Sequence, residues 1–172
     1  MVEFAEFVET ESRGLVAAVY AIVGDRHRAE EIVQDAFERC FRRWRRVSRL
    51  DRPGAWARRV AINAAISSAR RSSSEHRAVR RLGALTDRDG AVTVDPLVSL
   101  EDEGVWAAVR ALPSDQAAAI ALRYGADLGI DEIAATLQLT VPAVKSLLHR
   151  GRAALRSAPA LQSYAEREQS AP

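Results

Sequence analysis

The sequence predicts an all-α chain of two small helical domains joined by a flexible linker, and three observations predict it. Apolar residues recur at steps of three and four through most of the chain. No stretch alternates apolar with polar residues as a half-buried strand would. The periodicity lapses for one long interval, from about Ser72 to Leu100. A length of 172 residues suits one ordinary domain or two small ones, and six prolines leave room for long helices. With 48% hydrophobic and 28% charged residues, the composition is that of a globular chain.

The elements follow in order. Phe4, Phe7, Val8, Leu15, Val16, Val19 and Val23 mark a first helix ending near Gly24-Asp25. Ala29, Ile32, Val33, Ala36, Phe37, Cys40, Phe41, Trp44 and Val47 then form one continuous apolar stripe, a second helix about five turns long. Asp51-Arg52-Pro53 breaks the chain, and Pro53 suits the first turn of a third helix running through Trp56, Val60 and Ala64 toward Arg71. Ser72-Ser73-Ser74, Gly83, Asp89-Gly90 and Asp95-Pro96 are linker signals, with Glu75–Leu82 open to reading as a helical extension. Periodicity returns at Val105, Val109 and Leu112. Pro113-Ser114-Asp115 supplies a break and a cap, and three further helices are expected over 115–124, 130–137 and 141–157. The expected division is a first module over 1–72, a mobile linker over 73–100, a second module over 101–158 and a frayed tail over 159–172.

Several chemistries find no support. The lone Cys40 excludes an intrachain disulfide framework, and His27, His76 and His149 have no metal-ligand spacing, so no metal or cofactor is expected. No run approaches the roughly 18 apolar residues of a membrane span. The acidic N-terminus is unlike a signal or transit peptide, so a soluble, cytoplasmic chain without membrane contact is expected.

The net charge of +2 hides a strong alternation. Residues 1–38 hold nine acidic and three basic side chains, whereas 39–81 hold fourteen Arg against Asp51 and Glu75. Residues 82–139 swing back with ten acidic and three basic, and 140–158 carry Lys145, Arg150, Arg152 and Arg156 with no acid. Two basic blocks separated by an acidic one suggest two contacts with a polyanion, nucleic acid first; solvated helix faces are the plain alternative.

Residues 130–157 are the most informative. Ile133, Ala134 and Leu137 form the apolar face of a short helix, Gln138-Leu139-Thr140 is a tight connection, and Thr140 can cap the next helix, with Pro142 in its first turn. In that helix Val144, Leu148 and Leu155 face inward with Gly151 between them. Lys145, His149, Arg152 and Arg156 recur on another face, flanked by Ser146 and Arg150. A helix-turn-helix sets its second helix in the major groove. Early residues (Lys145, Ser146, His149, Arg150) are therefore assigned to base edges, and Arg152 and Arg156 to phosphates. A neutral His149 could equally pack beside Arg152.

Here the residues resemble a known family. Leu112-Pro113, Leu122-Arg123-Tyr124, Asp131-Glu132-Ile133-Ala134, Val144-Lys145-Ser146 and the run His149 to Arg156 resemble region 4 of extracytoplasmic-function (ECF) sigma factors of bacterial RNA polymerase. Independently, Gly24-Asp25 and Ala29 to Phe37 resemble region 2.2, while Ala55-Trp56 and Arg59 to Ala65 resemble regions 2.3 and 2.4. The opening FAEFV, GDRHRAEE and RRWRRV are similar to the actinobacterial group. The resemblance spans roughly residues 4–157 in family order. It implies core RNA polymerase (the β′ coiled coil and the β flap) and promoter DNA as partners, with an anti-sigma factor as a further candidate.

Glu31, Gln34, Asp35 and Glu38 lie on one face of the second helix, opposite the apolar stripe. By pattern alone they are as well explained by helix-dipole complementarity, since Arg42, Arg43, Arg45 and Arg46 crowd the other end. The resemblance makes them the polymerase-docking face, with Phe37 as packing support. Arg42–Arg52 with Arg58, Arg59, Arg70 and Arg71 form a cationic track suited to a single strand. Within it Arg45, Arg46, Arg49 and Arg59 are assigned to DNA. The resemblance puts base capture in the loop Val47–Pro53 and Asn63 near the −10 element; Trp56 reads as core, sharing the Val60–Ala64 face.

Some positions depart from the family. Gln138 stands where Gly is usual, which implies a wider or strained turn. Leu147 stands where Arg is frequent, and Pro142 and Gly151 replace commoner choices. A free-standing helix-turn-helix regulator of duplex DNA is the alternative function. An enzyme is the weakest reading, because neither a metal–carboxylate cluster nor an activated nucleophile is visible.

Overall fold

A computed structural model of the chain describes residues 3–81 and 100–158. Among them there is no strand. The helices are α1 (Phe4–Val23), α2 (Arg26–Arg42), α3 (Trp44–Val47), α4 (Pro53–Arg81), α5 (Leu100–Arg110), α6 (Ser114–Ile120), α7 (Ile130–Leu137) and α8 (Val141–Arg156), with a π turn at Ala121–Gly125.

Local chemistry sets the joints. Gly24 ends α1 in the left-handed region at φ 73°, and its N–H donates to the Tyr20 carbonyl. Asp25 opens α2 by accepting the Arg28 N–H at 2.6 Å. The stripe expected as one helix is in fact two. Arg43 leaves helical geometry at φ −118°, ψ 17°, and its N–H donates to the Cys40 carbonyl at 3.0 Å. The kink turns Trp44 onto Phe4 and Phe7, with ring centroids 5.1 and 5.0 Å apart, and buries Val47 to 2% exposure. Aromatic packing overrides the periodic pattern at this point.

The third helix runs past its expected end. α4 continues through Ser72-Ser73-Ser74 to Arg81, so the first residues of the expected linker are helical. Ser67 Oγ donates to the Asn63 carbonyl and Ser74 Oγ to the Arg70 carbonyl, both at 2.9 Å; a hydroxyl bonded to the preceding turn does not break a helix. The expected mobility of the linker falls on residues 82–99 and the frayed tail on 159–172, outside the described residues. The helix expected over 115–124 is α6 followed by the π turn, where the Ala126 N–H reaches the Ala121 carbonyl at 3.1 Å.

α1, α2 and α4 pack against one another as a first bundle, and α6, α7 and α8 form a second with α5. Val19, Cys40 and Ile62 are fully buried in the first, and Leu122, Ile133 and Val144 in the second. Each of the aliphatic side chains among these contributes roughly 1.5–3 kcal/mol of burial. The two bundles are in contact: α4 packs on α6 and α7, and α1 on α5 and the π turn, within one continuous apolar cluster. The Arg110 side chain lies over the end of α1, 2.5 Å from where a Cβ on Gly24 would stand, but it is the positive φ of 73° that favours glycine there. Burial pushes the Cys40 thiol up to about 11, making it a small core hydrophobe with little thiolate to react.

Candidate functional site

Three surfaces carry the residues singled out by sequence. On α2, Glu31, Gln34, Asp35 and Glu38 are all exposed, and Phe37 is buried beneath them at 7% exposure. α2 packs on α1, α3 and α4, leaving this face outward. The four are not equivalent. Glu31 is engaged by Arg28 at 2.9 Å and His27 at 3.5 Å, and Glu38 pairs with Arg42. Gln34 and Asp35 have no side-chain partner among the described residues. Asp35 therefore offers an unneutralised carboxylate at the centre of the face.

The second surface is a cleft of about 630 Å³ where α3, the following loop and the start of α4 meet α7. From the first module Arg43, Arg46, Val47, Leu50, Arg52, Ala55, Trp56, Arg58 and Arg59 line it, and from α7 Glu132, Ala135 and Thr136. Of the assigned residues, Arg46 and Arg59 are brought together here. Arg45 and Arg49 are exposed outside its lining, and Asn63 lies one turn beyond Arg59 on α4. Trp56 is half-buried against the core and also forms part of the wall, so its core role does not keep it from the cleft. Arg70, counted in the cationic track, instead reaches the second module: Nε donates to Ser114 Oγ at 3.2 Å and Nη2 to Asp115. Sequence reasoning missed Glu132, whose Oε1 meets Arg52 Nη1 at 3.0 Å across 80 residues of chain.

The third surface is α8. The Gly129 N–H donates to Glu132 Oε2 at 3.1 Å and starts α7. α7 stops at Gln138, which takes the left-handed conformation (φ 57°, ψ 42°); the Leu139 N–H then bonds to the Ala134 carbonyl at 3.0 Å. The turn is thus the one a glycine would make, held with a side chain present, rather than a wider one. Thr140 Oγ1 accepts the Ala143 N–H at 3.4 Å and Pro142 sits in the first turn of α8. Val144, Leu148 and Gly151 are buried, and a Cβ on Gly151 would stand 3.0 Å from Ile120 Cγ1, so α6 and α8 approach closely there. Lys145, Ser146, His149, Arg150, Arg152 and Arg156 are all exposed. Leu147 is half-buried and packs on the core, so it does not belong to this face.

Among the described residues no group of three or more His, Cys, Asp and Glu is placed to hold a metal, and no helix is long and apolar enough to cross a membrane.

Comparisons with known proteins agree with this layout. Residues 7–75 match the family model for sigma-70 region 2, and residues 102–155 that for sigma-70 region 4. The chain is 30% identical over 162 residues to the ECF RNA polymerase sigma factor SigW of Bacillus subtilis, covering 89% of this chain and 87% of the relative. It is 28% identical over 156 residues to the RNA polymerase sigma-E factor of Streptomyces coelicolor, covering 91% of this chain and 85% of that one. Its fold matches the sigma factor RpoE of Bartonella quintana, solved in complex with the anti-sigma factor NepR, at TM-score 0.71 and 20% identity over 92% of this chain and 96% of that one. The chain belongs to the ECF family of RNA polymerase sigma factors, which recognise promoters and direct transcription initiation.

Proposed function

We propose that the chain is a non-enzymatic, cytoplasmic specificity subunit whose first module (1–72) docks core RNA polymerase and takes the −10 strand, and whose second module (101–158) reads the −35 duplex. Residues 73–100 link them and 159–172 are a tail. The observation that carries the reading is one chain presenting three matched surfaces: an exposed acidic face on α2, an arginine-lined cleft beside it, and an uncovered basic face on a capped α8.

Each surface suits its partner physically. Asp35 and Gln34, whose side chains have no partner among the described residues, can accept charge-assisted and neutral hydrogen bonds from a basic coiled coil. A concave cleft with Arg46, Arg59 and the Trp56 ring can hold a single strand by phosphate contact and stacking. On α8, Lys145, Ser146, His149 and Arg150 lie on the early turns that a helix-turn-helix brings to base edges, and Arg152 and Arg156 reach phosphates. The Bartonella neighbour's complex with NepR supports an anti-sigma factor as a further partner.

Runoff transcription with purified core polymerase tests the reading. The chain should add promoter-dependent initiation to core; absence of such transcripts, with binding to duplex DNA retained, would instead make it a free-standing regulator. The docking face has its own test. Asp35→Arg should weaken core affinity about tenfold with circular dichroism unchanged, and Glu31→Arg less, because Arg28 and His27 already occupy Glu31. Normal core affinity in folded Asp35→Arg would remove α2 from the contact.

A further inference from the structure

The leading end of α8 carries apolar side chains where a reader of base edges would carry donors. Leu139, on the turn into α8, is one of four large hydrophobic side chains left exposed among the described residues, at 40%. Its neighbours Leu137, Val141 and Leu147 pack on the core cluster, and Leu139 stands outside it. Pro142 is exposed as well. It heads the row Pro142, Lys145, Ser146 and His149, whose spacing of i, i+3, i+4 and i+7 puts all four on one face of α8. The same turn is poor in donors. Pro142 has no N–H, the Ala143 N–H is taken by Thr140 Oγ1 at 3.4 Å, and the Val144 N–H by the Thr140 carbonyl at 3.1 Å. Residues 142–144 therefore direct no amide donor outward.

A helix-turn-helix brings this leading end to the base edges. There, donors and acceptors ask for a polar reader, and the one apolar group a base pair shows in the major groove is the C5-methyl of thymine. We propose that Leu139 and Pro142 together contact a thymine methyl, so that the upstream element read by this chain contains a thymine beside the base pairs read by Lys145 and Ser146. This rests on the reading of α8 as the duplex-reading helix. The contact extends that reading by a step the cations cannot supply, since a phosphate anchor carries no sequence information. Pro142 is one of this chain's departures from its family, so the thymine contact separates its promoters from those of its relatives.

Deoxyuridine tests this, because it removes the methyl and leaves every hydrogen-bonding group of the base pair in place. Holoenzyme assembled from core polymerase and the full chain is titrated against duplexes bearing the upstream element of a promoter it uses in runoff transcription. Each thymine on either strand is replaced in turn. One or two replacements should weaken binding about fourfold, the worth of one buried methyl, and the others should change nothing. In Leu139→Ala with Pro142→Ala those same replacements should have no effect, while the base preference set by Lys145 persists. The wild-type arm needs no variant to fold: an upstream element without thymine, or one whose thymines can all become deoxyuridine at no loss, overturns the inference. So does a folded double variant that loses affinity for thymine and deoxyuridine duplexes alike and keeps the wild-type ratio between them, since Leu139 and Pro142 would then serve the turn or a polymerase contact. A wild-type holoenzyme that binds the upstream element no better than unrelated duplex would sink the reading of α8 itself, and the methyl contact with it.

Discussion

The cleft and α8 are both basic, yet they present their charge in opposite ways. On α8 the cations stand on a convex helix, free of the other module, with Arg150, Arg152 and Arg156 bonded back to carbonyls of their own helix at 3.2–3.4 Å. In the cleft the cations line a concavity and one of them, Arg52, already holds a carboxylate. A convex face suits the groove of an intact duplex, which needs no change in the protein. A concave one suits an extruded strand, which exists only after the duplex opens. Charge counts alone do not separate the two basic surfaces; curvature and intramolecular occupancy do.

Lys145→Ala should relax preference at one or two upstream base pairs by roughly 1–3 kcal/mol, measured as binding across a promoter-variant library. If it scales every site equally, the wrong face of α8 has been placed in the groove. Removing two cleft cations, Arg46→Ala with Arg59→Ala, should weaken strand binding by about tenfold while duplex binding at the upstream element holds. Arg156→Ala should lower affinity for all duplexes alike by severalfold and reduce the salt slope by about one, with preference unchanged. The smallest effect concerns the turn between α7 and α8. Gln138→Gly relieves a left-handed non-glycine residue and should stabilise the chain by about 0.5–1 kcal/mol in denaturant melts.

Much of this was legible in the sequence because it is local. Gly24-Asp25 marked the end of the first helix, Thr140 announced α8 as its cap, Pro53 and Pro142 sat where helices begin, and the step of three and four placed Ile133, Val144 and Leu148 inward. The rest depends on contacts far apart in the chain. Nothing around Arg43 signals a break, since neither glycine nor proline stands there; Phe4 and Phe7, some forty residues earlier, draw Trp44 out of line. The serine run looked like a linker, but α4 continues through it and the Ser74 hydroxyl bonds back to the Arg70 carbonyl. Glu132 stood out only within the stretch Asp131 to Ala134; in the structure one oxygen caps the start of α7 and the other faces Arg52 across the module boundary, which no periodicity reveals. Gln138 marked the turn correctly while hiding its geometry, because a left-handed glutamine has no sequence signature.

The division of labour between convex and concave basic surfaces is tested most directly by one crossed measurement. Holoenzyme is assembled with wild type, with Lys145→Ala, or with Arg46→Ala plus Arg59→Ala. Each is titrated against two probes from a promoter the holoenzyme uses in runoff transcription: a duplex bearing only the upstream element, and a single strand bearing only the downstream element. Lys145→Ala should lose affinity for the duplex alone, and the cleft variant for the single strand alone. Equal losses on both probes for either variant would contradict the assignment of separate elements to α8 and the cleft.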